Sequence, residues 1–130
     1  MIYTTITNIA YYQALVEDAA DGETCWSINK NAKPGDLVLL YVCAPISAVA
    51  ATAVIADEPF LEESINSEFF GTWFAEMNDL ALLKFPLERR WLVERFPAWG
   101  YWKQPRSSIA VPQAFEPELR RLIEAGRRKG

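Results

Sequence analysis

CWSINKNAKPGDLVLLYVCAPISAVAATAVI, residues 25–55, holds an isolated Trp, a Pro-Gly-Asp turn and two apolar runs in fixed order. Asn31 to Asp36 supplies turn chemistry, because Pro34 fixes its own φ and Gly35 takes a positive φ without a steric cost. The run Leu37 to Val42 is aliphatic and aromatic, which predicts a strand buried on both faces. Beyond Ala44-Pro45, the segment Ser47 to Ile55 mixes small residues with Val49, Thr52, Val54 and Ile55, which suits a second strand packed close to a neighbouring backbone. The two strands read as a central hairpin. Trp26 stands before them in a connecting loop, Thr24 to Lys30, outside any periodic face.

Leu37 to Ala56 carries no formal charge over 20 residues, a length that qualifies as a membrane-helix candidate. Pro45 in its middle would break the helical ladder, and no Lys or Arg cluster flanks it. A hairpin accounts for the same residues, and no membrane partner is expected.

Outward from the hairpin, Ile2 to Ile6 alternates β-branched and aromatic residues as an opening strand, and Asn8 caps a helix to about Ala19, ended by Asp21-Gly22. Asp57 to Asn66 is polar, and Ser67 to Met77 carries aromatics at mixed spacing, read as a short helix or irregular loop. Leu80 to Leu87 reads as a strand, Arg90 to Phe96 as a short strand or helical turn, and Ile109 to Val111 as a short strand. Glu116 to Ala125 closes the chain as a helix with Leu119, Leu122 and Ile123 on one face. About six short strands and two or three helices, without strand-helix alternation, argue for one α+β domain with a curved or closed sheet.

At 130 residues the chain is long enough for one core without disulfides. Cys25 and Cys43 have no metal-ligand spacing, so neither a metal nor a cofactor is expected. The N-terminus lacks the basic and apolar regions of a signal peptide, which points to the cytoplasm. The sequence contains no His. Ser-His and Cys-His pairs are thereby excluded, along with the usual general base near neutral pH, so a non-enzymatic role is expected. Net charge is −4, yet residues 1–83 hold 2 basic and 12 acidic side chains, while residues 84–130 hold 11 basic and 5 acidic ones. Such asymmetry points to a charged partner, although the basic end RRLIEAGRRKG also reads as a helix with a solvated tail.

The order of motifs resembles the EVE domains of the PUA-like superfamily, which also holds the YTH domains. The resemblance runs through Trp26-Ser27-Ile28-Asn29, then Lys33-Pro34-Gly35-Asp36 into Leu37 to Tyr41, then Ala53-Val54-Ile55, Trp73, and Gln104-Pro105-Arg106-Ser107 before Val111-Pro112. It implies a single EVE/PUA-like domain over residues 1–130, a small curved or closed β-barrel flanked by helices. It further implies a non-catalytic module that holds a modified or flipped-out base of DNA or RNA in an aromatic pocket. By that resemblance Trp26 and Trp73 are pocket walls, Ser27 and Asn29 bond the base edge, and Gln104, Arg106 and Ser107 face the nucleic-acid backbone. Stacking on an aromatic face, at roughly 1–3 kcal/mol per base, offsets the cost of unstacking.

The same residues have ordinary readings as well. A Trp in a small domain is usually core, and Ser and Asn commonly serve turns and caps. Two other functions fit the sequence: a protein-interaction module, for a homodimer or another protein, using an exposed patch of Trp99, Tyr101 and Trp102, or a small-ligand sensor using the base pocket.

Overall fold

The computed structural model describes residues 1–127; the last two basic side chains of the expected tail, Arg128 and Lys129, lie outside them. Strand β1 (Ile2–Thr7) leads through a short 3-10 turn into helix α1 (Tyr12–Asp21). The Asn8 side chain accepts from the Ala10 N–H at 2.8 Å, and Gly22 closes the helix at φ 75°, the left-handed C-cap that glycine permits. Strand β2 (Thr24–Ser27) follows. The expected hairpin forms as β3 (Leu37–Val42) and β4 (Ala48–Ile55), entered through Gly35 at φ 94°. After the two-residue β5 (Phe60–Leu61) comes β6 (Trp73–Glu88), then helices α2 (Arg89–Arg95) and α3 (Glu116–Arg127).

The strands form one mixed sheet in the order β1-β3-β4-β6-β2, with β5 on β6. Strand β1 pairs parallel to β3 from Ile2↔Leu37 to Thr7↔Val42, and the other pairs are antiparallel. Bulges interrupt β3–β4 and twice interrupt β4–β6. Each bulge bends its strand and adds twist, so the sheet curls into a half-barrel. Side chains then draw its two ends together: Thr5 Oγ1 donates to the Ser27 carbonyl at 2.7 Å, and Trp26 Nε1 donates to the Ile6 carbonyl at 2.9 Å.

Alternation along β3 sorts the core into two layers. Val38, Leu40 and Val42 join Leu15 of α1 on one face, while Leu39 and Tyr41 join Leu92, Leu119 and Ile123 of α2 and α3 on the other. Both faces of the strand are therefore apolar, as its unbroken run requires.

Three local expectations are corrected. Thr24 to Ser27 is a strand and not a loop, because the first part of β6 offers it a ladder from Thr24↔Met77 to Ser27↔Phe74. The end of the segment Ser67 to Met77 is strand as well: β6 begins at Trp73 and continues through the expected strand to Glu88. Ile109 to Val111 is not a strand of the sheet but contributes a single bridge, Tyr3↔Ala110, to the free edge of β1. Of the two readings of Arg90 to Phe96, the helical one holds, as α2.

Candidate functional site

The resemblance joins Trp26, Ser27, Asn29 and Trp73 in one pocket; the structure divides them between two concavities. The Trp26 ring is half-buried and packs against Tyr11 at 5.2 Å, Phe69 at 6.0 Å and Phe74 at 6.3 Å between centroids. Beside it lies a cavity of about 180 Å³ bounded by Thr7 of β1, Tyr11, Leu15 and Asp18 from the α1 side, and Thr24 and Trp26 of β2. That space is below the roughly 300 Å³ of drug-sized pockets, so it suits one ring system and not a whole nucleotide.

Polar groups in this cavity are partly committed. Thr24 Oγ1 donates to Asp18 Oδ2 at 2.7 Å. The Tyr11 hydroxyl donates to Glu68 Oε1 at 2.9 Å, and this bond holds the phenol above its ordinary pKa, as a neutral donor. Thr7 Oγ1 is buried and has no hydrogen-bond partner among the described residues. A buried hydroxyl left this way carries its full desolvation cost. Burial pushes the Cys25 thiol up to about 11, with Glu76 adding to the effect, so this cavity residue is protonated at neutral pH and a poor nucleophile.

Ser27, Asn29 and Trp73 line the second concavity, an open cleft of about 340 Å³ that also includes Lys30, Thr72 and Ser108. The cleft is held by backbone: the Ile28 N–H donates to the Trp73 carbonyl at 3.0 Å. Asn29 is largely a positioning residue. Its N–H donates to Ser108 Oγ at 2.9 Å, its Nδ2 donates to the Ser108 carbonyl at 3.2 Å, and its Oδ1 accepts from the Asn31 N–H at 2.8 Å. One amide hydrogen and one oxygen lone pair remain for a ligand.

Gln104, Arg106 and Ser107 are exposed and do not line this cleft; they lie on a segment that Tyr101 clamps and that leads into Ser108. The Gln104 N–H donates to the Tyr101 carbonyl at 3.1 Å, and the Tyr101 hydroxyl donates to the Ser107 carbonyl at 2.7 Å. Ser108, one residue further on, reaches the cleft. Sequence reasoning missed Ser108, Thr7, Tyr11 and Asp18, and only the helix cap at Asn8 marked where Thr7 and Tyr11 meet the end of β1.

The expected exposed patch at Trp99, Tyr101 and Trp102 is absent. Trp102 is 0% exposed, while Trp99 stacks on Phe115 at 5.6 Å and on Tyr101 at 5.5 Å, all packed on the α2–α3 side of the core. The aromatics are spent on packing, which removes the surface that the interaction reading required.

No family model and no curated protein matches the chain. Solved structures do. A Pseudomonas syringae structural-genomics protein aligns at TM-score 0.77 and 11% identity, over 95% of this chain and 99% of that one. A hypothetical protein from Leishmania major aligns at TM-score 0.76 and 16% identity, over 98% and 96%. ASCH from Zymomonas mobilis aligns at TM-score 0.65 and 16% identity, over 93% and 94%. The shared feature is the fold: a curled half-barrel flanked by helices, α+β and PUA-like, as in ASCH proteins. Among the described residues no helix is long and apolar enough to cross a membrane.

Proposed function

We propose that this PUA-like domain is of EVE type and is a non-catalytic, cytoplasmic reader of a modified or flipped-out base in DNA or RNA. The base enters the cavity beside Trp26 and Tyr11, and the strand that carries it lies across the cleft of Ser27, Asn29 and Trp73. The observation that carries this reading is Thr7 Oγ1, buried and unpartnered in a residue that lines an aromatic-walled cavity. A base edge offers both donors and acceptors and so satisfies either role of the hydroxyl, while the Asp18 carboxylate accepts from an exocyclic amino group. An added methyl on the base gains from apolar surroundings, at about 25 cal/mol per Å² buried.

Electrostatics set the strength. Asp18 and the acidic residues of α1 repel phosphate, and the cations are Lys30 of the cleft and Arg106 of the segment that leads into Ser108. Two phosphate contacts on a single strand give a slope of log K against log salt of about −1.4. Affinity then rests on the captured base more than on the backbone.

The test is intrinsic Trp fluorescence during titration with short DNA and RNA oligonucleotides carrying single modified bases. Modification-dependent quenching is expected, abolished by Trp26→Ala and retained in part by Trp26→Phe, with Lys30→Ala weakening every strand equally. Absence of binding to any strand at low salt would overturn the reading. Equal affinity for the free nucleoside and the strand would reassign the cavity to a small-ligand sensor.

A further inference from the structure

We propose that copies of this chain associate head to tail, the acidic loop 57–70 of one seated in an apolar groove of the next. The groove, of about 530 Å³, lies where β6 ends between α2 and α3, and is lined by Phe85, Leu87, Trp91, Leu122, Ala125 and Gly126. It is mostly apolar, with Glu88 also on its wall, and its two aromatics are the exposed Phe85, at 46%, and Trp91, at 37%. Cations bracket both: the Lys84 ammonium sits 5.8 Å from the Phe85 ring centroid, and the Arg95 guanidinium, itself paired with Glu118 at 2.7 Å, lies 5.6 Å from that of Trp91. Arg90 and Arg121 are the chain neighbours of the groove residues Trp91 and Leu122, with side chains 85% and 73% exposed, each only 3.9 Å from a carboxylate, Glu88 and Glu118. Pairs that loose and wet leave the guanidinium groups available to a better partner.

The loop has the complementary character. Between Lys33 and Lys84 there is no basic residue, and loop 57–70 carries Asp57, Glu58, Glu62, Glu63 and Glu68. Among the described residues, four of the nine exposed large apolar side chains also belong to it: Phe60, Leu61, Phe70 and, at 79%, Ile65. An acidic apolar loop and an apolar groove bracketed by cations match in both charge and hydrophobicity, the combination that steers and then holds an interface.

The loop does not reach its own groove. Strand β5 is anchored to Trp73 and Phe74 at the start of β6, whereas Phe85 stands eleven residues later, up to about 36 Å along an extended strand. Contact is therefore between copies, and because the two surfaces differ, it is heterologous and continues beyond a dimer. This inference does not depend on the base-reading function, and its test contains no nucleic acid.

Sedimentation velocity over a concentration series, at low and high salt, tests it with wild type, Ile65→Asp and Trp91→Glu. Folding is checked by far-UV circular dichroism. Wild type is expected to associate with concentration, less at high salt, and Ile65→Asp or Trp91→Glu to weaken association about tenfold or more. An equal mixture of Ile65→Asp and Trp91→Glu then forms a 1:1 dimer and nothing larger, since each retains one intact face. Monomeric wild type at low salt, association unmoved by the variants, or a mixture that stays monomeric would each overturn the proposal. A monomeric wild type that binds an acidic amphipathic peptide would give the groove to a different protein.

Discussion

Two aromatic clusters of similar make-up lie on opposite faces of the sheet, and only one borders space. Trp26 packs with Tyr11, Phe69 and Phe74 beside a cavity of about 180 Å³. Trp102 packs with Trp99, Tyr101 and Tyr41 at centroid distances of 5.1–6.2 Å, and is sealed. Each cluster also holds one buried polar atom without a partner among the described residues, Thr7 Oγ1 and Trp102 Nε1. The density of aromatics thus says little about recognition. What distinguishes a site from a core is whether the unsatisfied group faces room for a partner. In the Trp102 cluster the indole nitrogen is the cost of burying a large ring; in the Trp26 cluster the buried hydroxyl belongs to a residue that lines the cavity.

The largest expected effect separates the two tryptophans by stability. Trp102→Ala empties a fully buried site and is expected to cost about 3–5 kcal/mol. Trp26→Ala removes a half-buried ring and is expected to cost about 2 kcal/mol. Urea unfolding of both variants makes the comparison. Equal losses would make Trp26 another core residue and break the contrast.

A smaller effect concerns the link between the sealed cluster and the cleft. The Tyr101 hydroxyl accepts from Thr4 Oγ1 at 2.9 Å and donates to the Ser107 carbonyl at 2.7 Å, so it ties the segment carrying Arg106 and Ser108 to β1. Tyr101→Phe is expected to cost about 1 kcal/mol, measured by urea unfolding. Faster amide exchange at Ser107 to Ile109, with the amides of β3 unchanged, would localise the loss.

The parts of this fold that were legible in the sequence are those whose partners are near in sequence. Pro34-Gly35 announced the entry to β3, Asn8 marked the 3-10 turn that leads into α1 and Gly22 its end, and the apolar face of α3 showed its period. Trp26 was not legible as strand because its ladder partner, Ala75, lies far along the chain. The start of β6 at Trp73 was hidden for the same reason: it pairs with β2 and β5, both distant in sequence, and the burial of Phe74 and Ala75 in succession leaves no alternation to read. The residues grouped as one pocket were adjacent in sequence, Trp26 beside Ser27. In the fold Trp26 faces the cavity with Tyr11, while Ser27 at the end of β2 and the turn that follows it line the cleft with Thr72 and Trp73, so the single pocket becomes a cavity and a cleft.

Thr7→Val carries the smallest expected change in stability and the sharpest test of the contrast. Valine keeps the branched shape and replaces the unpartnered hydroxyl by a methyl group. Removing a buried polar group that has no partner is near neutral or stabilising, by up to about 1 kcal/mol. Binding of the modified base is expected to fall about tenfold, the loss of one hydrogen bond worth about 1.4 kcal/mol. Stability and affinity therefore move in opposite directions at this position, which packing alone does not produce. If urea unfolding instead finds Thr7→Val destabilised by 1 kcal/mol or more, at about the value of a made hydrogen bond, the hydroxyl is already satisfied. The Trp26 cluster would then be as self-contained as that around Trp102.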